Sequence, residues 1–268
     1  MAASNIIIQR GTTKPASVWK FGDDARPSDG TGSVFVLTVA SGSQRIVRRT
    51  DDLLAATHGC TLGRYPGALW PHTTCGNRFR RWRKRGIWDR LLDAASKAYD
   101  GDLQMIDATS VRVHQHATCA PPKKKGGCGG MGRSRGGLTS KIHALVDAEG
   151  RPVALKITEG QAHDGRSAAN MLGGLGAGQI LPGDRAYDSD ALRTRMVEQG
   201  AWANVKSMPN RKQVLAFSPF LYKYRNLVER FFSKIKHFRA VATRYDKDPD
   251  NFLASVKLAA LRVWLRAL

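Results

Sequence analysis

Acidic side chains are scarce in this sequence: 22 Asp and Glu stand against 43 Lys and Arg, for a formal net charge of +21 and a pI near 10.4. A surface so short of negative charge is poorly suited to basic partners and well suited to polyanions, because Lys and Arg release condensed counterions from phosphates. Nucleic acid is the leading partner class. Long hydrophobic runs are missing as well: with 42% hydrophobic residues the content is ordinary for a globular protein, yet no apolar stretch approaches the length that crosses a bilayer. Membrane-embedded roles drop out. Cysteine is sparse, and Cys60, Cys75, Cys119 and Cys128 form no CxxC pair, so they read as reduced thiols of a cytoplasmic protein and not as a disulfide framework. Cys119 and Cys128 lie near His114 and His116, but that spacing matches none of the common zinc-finger patterns. The opening MAASNIIIQR has no basic cluster before its apolar run and no convincing cleavage site, so it does not read as a secretory signal.

The 268 residues suffice for one large core and a smaller attached domain. Residues 1–70 form an atypical leader: they contain no glutamate, they hold loop-forming clusters such as ARPSDGTGS, and their one strand-like run is SVFVLTVA. Their eight Lys and Arg against five Asp leave +18 of the net charge to residues 71–268. The basic character belongs to the rest of the chain. Residues 71–100 read as two short helices, the first capped by Thr73 or Thr74 and presenting Arg78 and Arg81 among other cations around Phe79 and Trp82. Such a block suits phosphate contacts; it is also how a basic surface helix packed by two aromatics would look.

Residues 101–268 carry the chemistry. LQMIDATSVRVHQH predicts a strand running into a second extended piece, with Asp107 directly after the apolar pair Met105-Ile106. A carboxylate inside a buried strand is costly unless it is paired or bound to metal. A turn or capping aspartate is the alternative, since Thr109 and Ser110 follow. CAPPKKKGGCGGMGRSRGG has the composition of a flexible basic loop, with Arg133 and Arg135 able to reach a DNA backbone. A β-hairpin follows, Ile142 to Val146 and Val153 to Ile157 about a turn at Glu149-Gly150. A helix capped near Asp164 comes next, with His163 and Asp164 as capping or substrate-side residues. Ile180-Leu181 predicts a short strand ending at Asp184, and Ser189 or Asp190 caps the helix after it; Asp188, just before that helix, reads as a cap. One more strand lies in WANV, and the chain closes on an amphipathic helix with Phe252, Val256, Leu258, Ala259, Leu261 and Leu265 on its apolar face.

The stretch YKYRNLVERFFSKIK, Tyr222 to Lys236, has two faces at the helical period. Val228, Phe231, Phe232, Ile235 and Phe238 form an apolar stripe, and Tyr222, Arg225, Glu229 and Lys236 align along another side, one carboxylate among cations. Tyr222, two residues, Arg225, three residues, Glu229, six residues, Lys236 resembles the Y-R-E-K motif of bacterial insertion-sequence transposases with a DDE triad, and the neighbouring words are closest in kind to the insertion-sequence family numbered five. IDAT around Asp107, GRSRGGLTSKIH, and GDRAYDS around Asp184 are similar to that family's motifs, with Gly183 and Arg185 where alanine and lysine are usual. The resemblance covers residues 70 to 268.

That resemblance implies an α/β fold, a ribonuclease H-like mixed sheet flanked by helices, preceded by a small basic helical region. It implies that Asp107, Asp184 and Glu229 are the catalytic, metal-binding carboxylates, holding two Mg²⁺ or Mn²⁺ ions, the choice that hard oxygen ligands favour. Tyr222, Arg225 and Lys236 are then DNA contacts, with Arg78, Arg81, Arg133 and Arg135 adding to the DNA surface. Only 45 positions separate Asp184 from Glu229, which leaves no room for a large inserted domain. The implied activity is cleavage at transposon ends and strand transfer, the partners being double-stranded DNA of terminal inverted repeats and targets, with a homodimer on DNA because two ends must be brought together. The unfamiliar leader also fits a foreign or frame-shifted sequence joined to a transposase body, and a degenerate DNA-binding relic is the competing expectation.

Overall fold

The computed structural model describes residues 8–10, 17–21, 35–38, 72–97, 101–118, 129–213 and 215–267. In the leader, β1 (Ile8–Arg10), β2 (Ser17–Phe21) and β3 (Phe35–Thr38) pair antiparallel. β3 coincides with the strand-like run read in the sequence; most of the leader, and with it the question of a foreign origin, lies outside the described residues. So do Cys119 and Cys128 and the zinc site drawn around them.

Two helices follow, α1 (His72–Lys84) and α2 (Ile87–Ser96), separated at Gly86, whose φ of 63° no β-carbon-bearing residue adopts readily. α1 already begins at His72, so neither Thr73 nor Thr74 occupies its cap. Phe79 and Trp88 are buried with their rings 5.7 Å apart, which joins the pair to the main core.

The centre is β4 (Gln104–Val113), one continuous strand where two extended pieces were expected; it passes into a short helix, α3 (Gln115–Thr118). Further on come β5 (Gly132–Ser134), β6 (Gly137–Asp147), β7 (Pro152–Glu159), α4 (Asp164–Ala168), β8 (Ile180–Gly183), α5 (Asp190–Glu198) and β9 (Trp202–Val205). The chain ends through α6 (Pro219–Tyr222), α7 (Asn226–Lys236), α8 (Arg239–Ala242), β10 (Thr243–Arg244) and α9 (Pro249–Ala267). Among the described residues β4 to β10 form a seven-stranded mixed sheet: β6 pairs antiparallel with β4, β5 and β7, whereas β8 and β10 run parallel to β4 and β9 runs parallel to β8.

Side chains alternate across β4 with period two, so each face has its own core. Met105 and Val111 pack with Val228, Phe231, Ile235, Phe252 and Val256, the stripes of α7 and α9. Ile106 packs on the other face with Leu181, Tyr187, Leu192, Met196 and Val205. Each such burial contributes about 1.5–3 kcal/mol, so the α7 stripe fixes the rotation of the helix that bears Glu229. Arg244 is wholly buried and gives its guanidinium to the carbonyls of Gly129, Gly130, Asp246 and Lys247 and to Ser140 Oγ. It clamps the end of the glycine-rich loop to β6 and to the start of α9.

Candidate active site

β8 runs beside β4 no further than Ile106 opposite Gly183, and β10 joins β4 only at Arg112. The edge of β4 between those points is open. Asp107 is the first residue along that opening, and Asp184 follows the last residue of β8, so divergence of two parallel strands brings both aspartates to one gap. Asp184 is extended and caps the single 3₁₀ turn Arg185–Tyr187, its Oδ1 accepting from Arg185 N at 2.7 Å. The helical run above the gap is continuous but tightened: α6 passes through a 3₁₀ turn, Lys223–Arg225, into α7.

Of the polar residues in that run, Tyr222, Arg225, Glu229 and Lys236 reach the strands or one another. Tyr222 donates from its hydroxyl to Asp184 Oδ1 at 3.3 Å. Arg225 donates through Nη1 to Asp107 Oδ2 at 2.7 Å and through Nη2 to Glu229 Oε1 at 2.6 Å, with its guanidinium carbon 5.6 Å from the Tyr222 ring centre. Lys236 Nζ meets Thr109 Oγ1 at 2.5 Å. Thr109 entered the sequence reading only as a turn neighbour of Asp107, although period two places it on the same strand face.

The electrostatics match this crowding. Burial pushes the Asp107 carboxyl up to about 6; the Ala108 N–H and Arg225 pull it down, while Asp184 and Glu229 push it up again. Burial works against the charge on Arg225, but Asp107, Tyr222, Glu229 and Asp184 together hold its pKa above the ordinary value. Burial lowers Lys236 and raises Tyr222.

The remaining expectations separate from this cluster. Arg133 and Arg135 are exposed on the β5–β6 hairpin and Arg81 is exposed on α1; no contact among the described residues joins these three to the carboxylates, and Arg78 is half-buried on α1. His163, not Asp164, caps α4, accepting from Gly165 N, and Asp164 pairs with Lys141 at 2.9 Å. Asp188 is a structural knot that accepts from Met208 N, Arg193 and Arg211. Burial opposes its charge, but these donors hold it below the ordinary carboxylate value. Ser189 caps α5 through Leu192 N.

The transposase DDE domain model matches residues 99–264, which is more than half of the chain and includes every residue of the gap. The chain belongs to the transposase DDE domain family. A protein assigned as transposase of insertion sequence element IS6501 in Brucella ovis is 40% identical over 131 residues, 48% of this chain and all of that protein. An uncharacterized protein of Sinorhizobium fredii, y4sN, is 37% identical over 61 residues, 23% of this chain and 49% of that one. In three dimensions the piggyBac transposase, solved as a synaptic complex with hairpin DNA, superposes with a TM-score of 0.50 at 10% identity. The match covers 83% of this chain and 65% of that one, and it identifies the fold as ribonuclease H-like.

DDE transposases generally use divalent metal ions. Among the described residues no three His, Cys, Asp or Glu side chains are drawn together tightly enough to cage an ion as they stand. The Arg225 guanidinium, bridging Asp107 and Glu229, supplies the positive charge there, and the like charges of Asp184 and Glu229 weigh on Asp107. An oxygen-only donor set that already holds a cation between two of its members fits a hard divalent ion. Among the described residues no helix is long and apolar enough to cross a membrane.

Proposed function

We propose that the chain is a transposase that cleaves DNA strands at the ends of its element and joins them to target DNA, with Asp107, Asp184 and Glu229 as the catalytic carboxylates. The single observation that supports this best is the chain of contacts from Asp184 through Tyr222 and Arg225 to Asp107 and Glu229, across a gap between diverging strands. The three carboxylates would hold two Mg²⁺ or Mn²⁺ ions, which when bound neutralise phosphate charge and lower the pKa of the attacking water or 3′-hydroxyl. Arg225 then exchanges carboxylates for a phosphate, for which its planar fork is suited. Lys236, partly desolvated and in contact with the Thr109 hydroxyl, offers a point charge one face along; Tyr222 orients Asp184. The exposed Arg81, Arg133 and Arg135, together with Arg78, extend the contact along the DNA backbone.

DNA is the partner class that the excess of cations supports, and the piggyBac neighbour was solved with DNA. Handling two element ends calls for two copies, so a homodimer on DNA is part of this reading, as is membership of insertion-sequence family five. The test is incubation of the full chain with labelled terminal-repeat DNA and a target plasmid in Mg²⁺. Nicked ends and joined product support the reading; binding without either marks a noncatalytic relic and contradicts it.

A further inference from the structure

Arg230 and Lys234 have no part in the contacts described so far. With Asn226 they face solvent on the flank of α7 turned away from its buried stripe, and between them and the turn at Gly150 runs an open groove of about 540 Å³ with Glu229 at its edge. The carboxylates that border the groove are already paired, Glu149 with Arg151 at 2.8 Å and Glu229 with Arg225 at 2.6 Å. Arg230 and Lys234 form no ion pair among the described residues, which leaves the groove with a surplus of positive charge. Such a surplus fits a phosphate backbone.

β6 fixes where the groove lies. The Gly150 turn follows its last residue, Asp147, whereas the hairpin bearing Arg133 and Arg135 precedes its first, Gly137, so the two turns stand at opposite ends of the strand, roughly 35 Å apart. Asp107 lies between them, opposite Ala144, and Lys236 meets Thr109, opposite Ile142, on the side towards Arg133. α1 is tied to the Arg133 end as well: Arg83 pairs with Asp248 and Asp250 at 3.4 Å, beside the loop end that Arg244 holds to Ser140. The cations already given to DNA therefore stand on one side of the gap, and the groove opens on the other, where the Gly150 turn packs on Leu227.

Joining needs two DNA segments at one set of carboxylates. The 3′-hydroxyl of the element end gives its proton to water, its oxygen bonds a target phosphorus, and the target's own P–O3′ bond breaks, the departing oxygen taking a proton from water. Resting on the reading of Asp107, Asp184 and Glu229 as the catalytic set, we infer that the groove along α7 seats the target DNA, with Arg230 and Lys234 on its phosphates, while the element end occupies the Arg133 side of the gap.

Both side chains are exposed, so the double substitution Arg230→Ala with Lys234→Ala spares the core. Measurements on the full chain decide the matter: binding of a labelled terminal-repeat duplex, nicking of that duplex in Mg²⁺, and joining of a pre-nicked duplex to plasmid over a range of plasmid concentrations. The variant should bind and nick the duplex within about twofold of wild type, yet join it at least about tenfold more slowly at low plasmid concentration, because loss of phosphate contacts weakens DNA binding whatever the sequence. Raising the plasmid concentration should shrink that deficit, and Arg230→Lys with Lys234→Arg should join normally. Joining unchanged in the alanine variant overturns the inference, as does a fall in binding or nicking equal to the fall in joining, which gives the groove to the element end. A change confined to self-association without DNA gives it to a second copy and overturns the inference too. Wild-type protein that neither nicks nor joins overturns the transposase reading and this inference with it, whereas an active wild type and an equally active alanine variant remove only the role given to the groove.

Discussion

Arg225 Nη1 lies 2.7 Å from Asp107 Oδ2, a contact between residues 118 positions apart that fixes a helix from late in the chain over the open edge of the central strand. Its second arm holds Glu229 one helical turn on. One guanidinium therefore serves as the internal counter-charge for two members of the carboxylate set, and its planarity matters as much as its sign.

Arg225→Lys should not restore this arrangement, because a compact ammonium lacks the two separate N–H arms with which the guanidinium reaches Asp107 and Glu229. With Arg225→Ala the loss of the positive charge should raise the Asp107 pKa further above about 6, the sign following from the pull that Arg225 exerts. Carboxyl-detected NMR titration of the ion-free variants checks this. An Asp107 pKa that falls on removal of Arg225 would contradict the placement of that charge.

The hairpin turn between β6 and β7 is a second support for α7. Gly150 has a φ of 74°, and a β-carbon there would come within 3.3 Å of the Leu227 backbone oxygen, two residues before Glu229. Gly150→Ala should therefore destabilise by about 1–2 kcal/mol from backbone strain alone and displace the first turn of α7. Denaturant unfolding measures the first effect. A variant as stable as wild type would show that the turn does not buttress the helix.

Asp246 gives a pH signature independent of the candidate site. Burial raises its carboxyl to about 6, with Arg244 and Arg80 opposing and Asp248 adding to the rise. The folded pKa exceeds the unfolded one, so between about pH 4 and 6 the folded state binds more protons and stability falls as pH rises through that window. Asp246→Asn should consequently be more stable than wild type at pH 7, by about 1–3 kcal/mol, and equal to it at pH 4. Unfolding curves at the two pH values test it; a gain of the same size at pH 4 would rule out ionisation as the cause.

Much of this was legible in the sequence because the informative patterns were local. The stripe Val228, Phe231, Phe232 and Ile235 is buried as the helical period requires, and Asp107 and Asp184 stand where short apolar runs end or turn polar. The hairpin about Glu149-Gly150 and the Ser189 cap followed from turn and cap chemistry. What was not legible depends on contacts between distant segments. β4 runs unbroken because β6 pairs with it from Gln104 to Arg112, a long-range ladder that local propensity does not report. Asp164 pairs with Lys141, 23 positions earlier, a partner that the local pattern of capping residues does not name. The Lys236–Thr109 contact is a tertiary fact of the same kind.

The most direct measurement is Mg²⁺-dependent strand cleavage and joining on terminal-repeat DNA by Asp107→Asn, Asp184→Asn and Glu229→Gln, each compared with wild type and each checked for DNA binding without divalent ions. All three variants should lose both reactions by at least about a thousandfold while binding DNA nearly as well as wild type, since electrostatic stabilisation of the reacting phosphate is withdrawn and the basic surface is untouched. Near-normal joining by any one of them would remove that carboxylate from the reaction, and near-normal joining by all three would end the account of a shared catalytic gap.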